Sequence, residues 1–173
     1  IERGLLKFNQ GDRPAGAADF DLAVAADPQS ARALAYRANL THHYVNRDWA
    51  AAEADYAAVL AIEPQFPRFY AHTAELYLYS GDPARAIAEA GKGIAREPDN
   101  FLHHLNLAHG LLFTGDIEEA KRLYLEVSQE SIEGGEPGAK FALGDLAHIE
   151  KIGAVKYPQI AIITPWLKSL VRE

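Results

Sequence analysis

A repeat of 34 to 36 residues runs along most of this chain, and it constrains the fold more than any other feature. Its turns share a Gly-Asp pair, at Gly11-Asp12, Gly81-Asp82 and Gly115-Asp116. Arg47-Asp48 stands at the remaining position of the same series. Acidic-proline pairs recur at the same interval, at Asp27-Pro28, Glu63-Pro64 and Glu97-Pro98. A fixed period of this length is typical of stacked units that bury a shared core.

Three further columns of residues follow the same period. Two columns contain small residues, namely Gly4, Ala38, Ala74, Ala108 and Gly144, and Gly16, Ala52, Ala86 and Ala120. The third column is large at Phe20, Tyr56 and Tyr124, with Ala90 as the exception. Small residues at facing positions let two antiparallel helices approach closely, and an aromatic ring fills the space towards the next unit.

Each unit is predicted to contain two helices joined by a turn. Residues 30–44 and 49–62 contain neither glycine nor proline, and the turn lies between them. Glycine at such a turn adopts the left-handed conformation that ends a helix, and the aspartate after it caps the next helix. The acidic-proline pair then ends the second helix, because proline disfavours helical geometry in the residue before it.

These columns resemble the tetratricopeptide repeat, a helix-turn-helix unit of 34 residues. The third unit carries the best match, through Ala74, Tyr77, Gly81, Ala86 and Pro98. The resemblance covers residues 1–134 as units 1–30, 31–66, 67–100 and 101–134, with the first truncated and two extra residues in the second. It implies an all-α, right-handed helical solenoid of about four units, followed by a helical cap over residues 135–173.

The cap is predicted from a break in the pattern. Residues 131–138 have the composition of a loop, and residues 140–152 form a further helix with Gly144 on the small-residue column. Thr164 is expected to cap a last helix that begins at Pro165. Its apolar residues Trp166, Leu167 and Leu170 would cover the end of the array. The alternative is that this segment docks on a partner or on an upstream domain.

The resemblance also implies a concave groove lined by the first helix of each unit. The predicted partner-binding residues are Asn39, His42, His43, Arg68, Glu75, Leu78, Tyr79, Leu105, His109, Leu112 and Phe113. In this set a polar line (Asn39, Glu75, His109) runs beside an apolar and aromatic strip, which suits an extended or helical peptide with a few apolar anchors. Two alternatives stay open. Leu105, Leu112 and Phe113 would pack only between neighbouring helices, and the polar residues would form a solvated face.

Composition argues against several other functions. With 17 Lys and Arg against 24 Asp and Glu, the net charge of −7 disfavours nucleic acid as a partner. The chain contains no cysteine, and its paired histidines are sequence neighbours that point to different sides of a helix, so no metal site is predicted. The longest apolar stretch, residues 160–171, is too short to insert across a membrane. No nucleophile or phosphate-binding motif is present, so neither catalysis nor a cofactor is predicted.

The expected function is therefore non-catalytic: the groove binds a peptide or a segment of a partner protein. The first alternative is a regulatory or substrate-recruiting arm of a larger multidomain enzyme. The start at Ile1 and the absence of methionine motivate it, because they predict a piece of a longer protein. The second alternative is self-assembly with another copy, so the oligomeric state is left open. Tetratricopeptide arrays occur in the cytoplasm and in the bacterial envelope, and this composition does not separate the two compartments.

Overall fold

A computed structural model describes residues 1–65, 69–128 and 138–171, and every regular element in those ranges is helical. The elements are α1 (Glu2–Asn9), α2 (Arg13–Ala26), α3 (Ala31–Tyr36), a π-helix (Arg37–Asn46), α4 (Trp49–Ile62), α5 (Phe69–Ser80), α6 (Pro83–Arg96), α7 (Phe101–Thr114), α8 (Ile117–Ser128), α9 (Gly138–Ile152) and α10 (Gln159–Leu170). The all-α prediction is confirmed for this part of the chain. The chain forms two compact units, an N-terminal unit (Ile1–His72) and a C-terminal unit (Thr73–Glu173).

The predicted turns and caps are confirmed. Positive backbone φ angles of 91°, 56°, 93° and 97° occur at Gly11, Arg47, Gly81 and Gly115. The following aspartate then accepts a hydrogen bond from the backbone N–H three residues later, at Asp12, Asp48, Asp82 and Asp116. This recurrence is local in origin, because a left-handed residue ends one helix and a carboxylate caps the next.

The two extra residues of the second unit are accommodated inside its first helix. That helix begins as α3 and continues without a break as the π-helix, whose wider turn holds more residues. The N–H of Asp48 then donates to the carbonyl of His42 over 2.8 Å, and α4 starts at Trp49 as predicted.

The N-terminal unit contains a close helix contact and two ion pairs whose carboxylates are buried. A Cβ on Gly16 would lie 2.8 Å from the carbonyl oxygen of Gly4, so α1 and α2 approach closely only because both residues are small. Arg3 donates two hydrogen bonds to the carboxylate of Asp19, at 2.9 and 2.6 Å. An equivalent bidentate pair, at 2.7 and 2.6 Å, joins Arg37 of the π-helix to Asp55 of α4. These pairs repeat with the period of the sequence.

In the C-terminal unit the small residues of both columns are fully buried on α5 to α8, at Ala74, Ala86, Ala108 and Ala120. The third column's exception, Ala90, is buried as well. Nearby, a Cβ on Gly93 would lie 2.6 Å from the Cγ atom of the buried His103 ring. The imidazole of α7 therefore packs directly on the backbone of α6.

Two expectations for the C-terminal cap are wrong. Gly144 is exposed, whereas Ala142 is fully buried and lies 34 residues after Ala108, so Ala142 occupies the small-residue column. The last helix begins at Gln159 and passes through Pro165, and the hydroxyl of Thr164 donates to the carbonyl of Ile160 rather than capping a helix.

The reason for the early start of α10 is its buried stripe. Ile160, Ile163 and Leu167 recur at helical spacing and are buried, and α10 packs on α9 with further contacts to α8 and α7. Trp166 and Leu170, which were expected to cover the end of the array, are only half-buried.

Candidate functional site

The predicted partner-binding residues fall into two groups. Asn39, His42 and His43 lie on the π-helix of the N-terminal unit. Arg68 lies outside the described residues. The other seven belong to the C-terminal unit, three on α5 (Glu75, Leu78 and Tyr79) and four on α7 (Leu105, His109, Leu112 and Phe113). Spacings of three and four residues place each of these two sets along one side of its helix.

In the C-terminal unit the chain's own sequence covers this face. Between the end of α9 at Ile152 and the start of α10 at Gln159, residues 153–158 are non-helical. We call residues 153–158 the strap. The strap lies against the C-terminal ends of α5 and α7, where four of the seven predicted residues are located.

Two hydrogen bonds and one ring stack define how the strap lies. The N–H of Ala154 donates to the carbonyl of Tyr79 over 2.7 Å. The hydroxyl of Tyr157 donates to the carbonyl of Leu78 over 3.3 Å. The Tyr157 ring lies parallel to the ring of Phe113, with centroids 3.7 Å apart and an interplanar angle of 3°. One short segment therefore bridges α5 and α7.

Two further features shape the place that the strap occupies. Gly81 has a positive φ, and a Cβ there would overlap a methyl group of Val155. The side-chain amide of Gln159 donates to the carbonyl of Phe113 over 3.5 Å. Gly81 in the turn after α5 thus has a left-handed conformation and no side chain, and Val155 of the strap occupies the space beside it.

A polar cluster lies deeper on the same face. His109 Nδ1 is 2.6 Å from the hydroxyl of Tyr124, and both side chains are fully buried. His109 Nε2 is 3.7 Å from a carboxylate oxygen of Asp145 on α9. Burial raises the pKa of Tyr124 well above its usual value, so the phenol beside Nδ1 stays protonated.

The carboxyl of Asp145 also has a shifted pKa. Burial raises the pKa of its carboxyl, the neighbouring His109 opposes that rise, and the negative charge of Glu75 adds to it. The predicted polar residues Glu75 and His109 therefore act on a carboxyl of the chain's own α9. The cluster ties α7, α8 and α9 together.

The apolar residues of the predicted groove are all buried within the C-terminal unit, at Leu78, Tyr79, Leu105, Leu112 and Phe113. The ring of Tyr157 covers that of Phe113, and the ring of His148 on α9 lies against Tyr79.

In the N-terminal unit the three predicted residues also make contacts inside the fold. His43 is fully buried and stacks on Tyr44 with centroids 4.5 Å apart. His42 Nε2 lies 3.4 Å from the carboxylate of Asp55. Asn39 is half-buried, and its Oδ1 atom is shielded from solvent without a hydrogen-bond partner among the described residues.

Within residues 1–65, 69–128 and 138–171, no three histidine or carboxylate side chains converge as metal ligands would. Over the same residues, no helix has both the length and the apolar character needed to cross a bilayer.

Sequence reasoning missed two sets of residues. The Arg3–Asp19 and Arg37–Asp55 pairs follow the repeat period, so a search for charged columns would have found them. Tyr157 was noticeable only as the residue before Pro158, a sign of a helix break. No sequence signal connected it with Phe113, which lies 44 positions earlier.

No protein-family model matches the chain, and a search of curated proteins finds no significant match to it. The resemblance to the tetratricopeptide repeat therefore rests on the residue columns of this sequence.

Proposed function

We propose that this chain is a non-catalytic protein-interaction module of the tetratricopeptide type, with the right-handed solenoid that this family implies. Its ligand is a peptide or a segment of a partner protein, bound on the face of α5 and α7. The recurrent left-handed turns, aspartate caps and buried small residues support the repeat assignment.

The observation that carries the proposal is the strap. A short non-helical segment already lies on this face through a backbone N–H at Ala154, a phenol hydroxyl at Tyr157 and a flat aromatic contact. Peptide recognition commonly combines main-chain hydrogen bonds, which are sequence-independent, with aromatic anchors that select the sequence. A face that accepts these groups from its own chain has the chemistry to accept them from another.

The acceptors on this face are preorganised. The carbonyls of Leu78 and Tyr79 lie near the end of α5, where the last four carbonyls of a helix have no partner within the helix. Phe113 is close to the end of α7 and is held by neighbouring side chains, with the His109 ring stacked at 6.3 Å. Binding then requires little ordering of the protein, which lowers its entropic cost.

The test is selection from a phage-displayed library of random heptapeptides against the immobilised chain. Wild type and Tyr157→Ala are used in parallel, because the second protein lacks the ring that covers Phe113. We expect enriched peptides that lose binding to Phe113→Leu and keep it with Phe141→Leu. Phe141 is a matched control, since its ring packs on Phe101 and is not part of the strap contact. Failure of both folded proteins to enrich any sequence would refute the proposal.

The two alternatives are an arm of a larger enzyme and a self-assembly module. No contact among the described residues favours either of them over peptide binding.

A further inference from the structure

We propose that the strap is a built-in competitor for this face, and that a partner peptide must place an aromatic residue on Phe113 in exchange for Tyr157. This inference rests on the proposed function and adds two features to it, the chemistry of the ligand and the regulation of access. Tyr157 supplies both the stacked ring and the hydroxyl that reaches Leu78.

The strap is attached in a way that permits exchange. Its contacts with α5 and α7 come from Ala154, Val155 and Tyr157, and Val155 remains 42% exposed. None of the strap residues belongs to a helix, and the backbone bonds at its two ends, from the N–H of Gly153 to Ile149 and from the N–H of Ile160 to Tyr157, are local to the adjoining helix ends. The strap can therefore leave the face while α9 and α10 stay folded, and local openings of this kind cost less than global unfolding.

The stack itself is also open to exchange. Aromatic pairs prefer offset or edge-to-face arrangements with centroids 4.5 to 7 Å apart over a direct sandwich. The rings of Tyr157 and Phe113 are closer and nearly parallel, at 3.7 Å and 3°. The hydrogen bonds of Ala154 and Tyr157 and the short connection to α10 impose this geometry. A ring on a separate peptide is free to shift sideways and gains the better arrangement.

The contacts of the strap indicate which ligand fits. The carbonyl of Leu78 requires a hydroxyl donor beside the ring, so tyrosine is preferred to phenylalanine. The carbonyl of Tyr79 accepts an N–H from a residue three positions earlier, as Ala154 provides. The open space over Gly81 accommodates a β-branched side chain at the position of Val155. The expected ligand is an extended peptide of the form small–Val/Ile–x–Tyr.

Charge adds one exclusion. The Tyr157 hydroxyl donates to the carbonyl of Leu78 from a half-buried position. A phosphate in place of that hydroxyl would bring negative charge next to a carbonyl oxygen and out of water, so a phosphorylated tyrosine is excluded.

The tether sets the strength of the competition. A segment joined to its own site by short connections has an effective concentration in the millimolar range. A free peptide with the same contacts therefore binds wild type poorly and binds a strap-deficient variant well. We expect at least a tenfold difference in apparent Kd between the two proteins.

The experiment uses the strap sequence as the probe. An N-acetylated, C-amidated peptide Gly-Ala-Val-Lys-Tyr-Pro is titrated into the 15N-labelled full chain and followed by NMR. Wild type is compared with Tyr157→Ala, and Lys156→Ala serves as the control. The Lys156 side chain contacts the carbonyl of Glu150, away from α5 and α7. We expect strong shifts at the amides of Tyr79 and Gly81 for Tyr157→Ala, and wild-type behaviour for Lys156→Ala.

Two peptide variants test the chemistry of the ligand. Replacement of the peptide tyrosine by alanine should abolish binding, and replacement by phenylalanine should weaken it. Ala154→Pro is a second strap variant, which removes the N–H donor to Tyr79 and leaves the Tyr157 side chain in place. It should also bind the peptide more tightly than wild type, and it provides the comparison if Tyr157→Ala does not fold.

Equal affinity of wild type and a folded strap variant would show that the strap does not compete. Absence of binding to a folded strap variant would refute the ligand chemistry. Both results leave the proposed function standing if library peptides without an aromatic residue bind the face. Failure of the library selection would instead refute the proposed function itself.

Discussion

The phenol ring of Tyr157 lies flat on the ring of Phe113, with centroids 3.7 Å apart and planes within 3° of parallel. This contact joins the non-helical strap to the end of α7 and buries one of the residues predicted to meet a partner. The neighbouring hydrogen bond from the Tyr157 hydroxyl extends the same connection to the end of α5.

The first prediction concerns the titration of Tyr157. Burial and, secondarily, the negative charge of Asp82 raise the pKa of Tyr157 to about 12. Because the folded pKa exceeds the unfolded value of about 10, the contribution of Tyr157 to the free energy of unfolding is fully present below about pH 10. It is then lost as the pH rises from about 10 through about 12. Tyrosine 13C NMR titration should show this value, and Tyr157→Phe should remove the corresponding loss of stability. Titration of Tyr157 near pH 10 would contradict the buried position of its hydroxyl.

The second prediction compares two glycines on α6. Gly93→Ala should destabilise the protein by about 1–3 kcal/mol, because its Cβ meets the buried ring of His103, which has no room to move. Gly91→Ala should stabilise it by about 0.5–1 kcal/mol, since no atom lies within 4 Å and alanine is the better helix former. Urea unfolding of both variants measures the difference. Stabilisation by Gly93→Ala as well would show that His103 does not pack on Gly93.

The third prediction concerns the turn at Arg47. This residue has a φ of 56°, where the equivalent turns have glycine. The left-handed conformation costs a residue with a side chain about 1–2 kcal/mol. Glycine avoids this cost, but its larger conformational entropy in the unfolded state offsets part of the gain. Arg47→Gly should therefore raise the free energy of unfolding by up to about 1 kcal/mol. Gly115→Ala, with a φ of 97° and open space around it, should lower the stability. Thermal unfolding of the pair tests both signs, and destabilisation by Arg47→Gly would argue against a strained turn.

The fourth prediction concerns acid unfolding of the N-terminal unit. Hydrogen bonds from Arg3 and then from Lys7 lower the pKa of Asp19 to about 2. A lowered pKa contributes stability that is present above the unfolded value of about 4 and is lost as the pH falls through about 2. Asp19→Asn should remove this acid-dependent part, whereas Asp21→Asn on the exposed side of α2 should keep it. Carboxyl 13C NMR and circular dichroism between about pH 2 and 5, a range that spans the folded and unfolded pKa values of Asp19, provide the measurement. Retention of the full acid dependence in Asp19→Asn would refute the assignment.

Much of the helical structure could be predicted from the repeat. The turns at Gly11, Gly81 and Gly115 and the start of α4 at Trp49 follow from short-range signals. The substitution of Arg47 for a glycine was also recognisable, because the rest of its turn pattern is intact. The small-residue columns correctly identified Gly4 and Gly16 as a close helix contact, since the period places them opposite each other.

The candidate site was predictable only in part. Spacing on α5 and α7 grouped residues such as Leu78, Tyr79 and Phe113, which do share contacts with one segment. Packing of Phe113 inside the fold was an alternative open from the sequence, but its contact with the strap was not predictable, because that contact depends on where the chain runs after α9. Gly144 is a similar case: it is as small as the residues of the first small-residue column, but the packing of α9 places it on the exposed side of that helix.

The sequence by itself determined the repeated turns and the aspartate caps that follow them, because backbone conformation at a glycine and hydrogen bonding by the next aspartate act over a few residues. The tertiary structure decided that α10 continues through Pro165, since burial of Ile160, Ile163 and Leu167 outweighs the loss of one helical hydrogen bond. It also decided that Tyr157 covers Phe113. Such a contact between distant positions depends on the packing of the whole C-terminal unit, because it removes apolar ring surface from water where the ends of two helices meet.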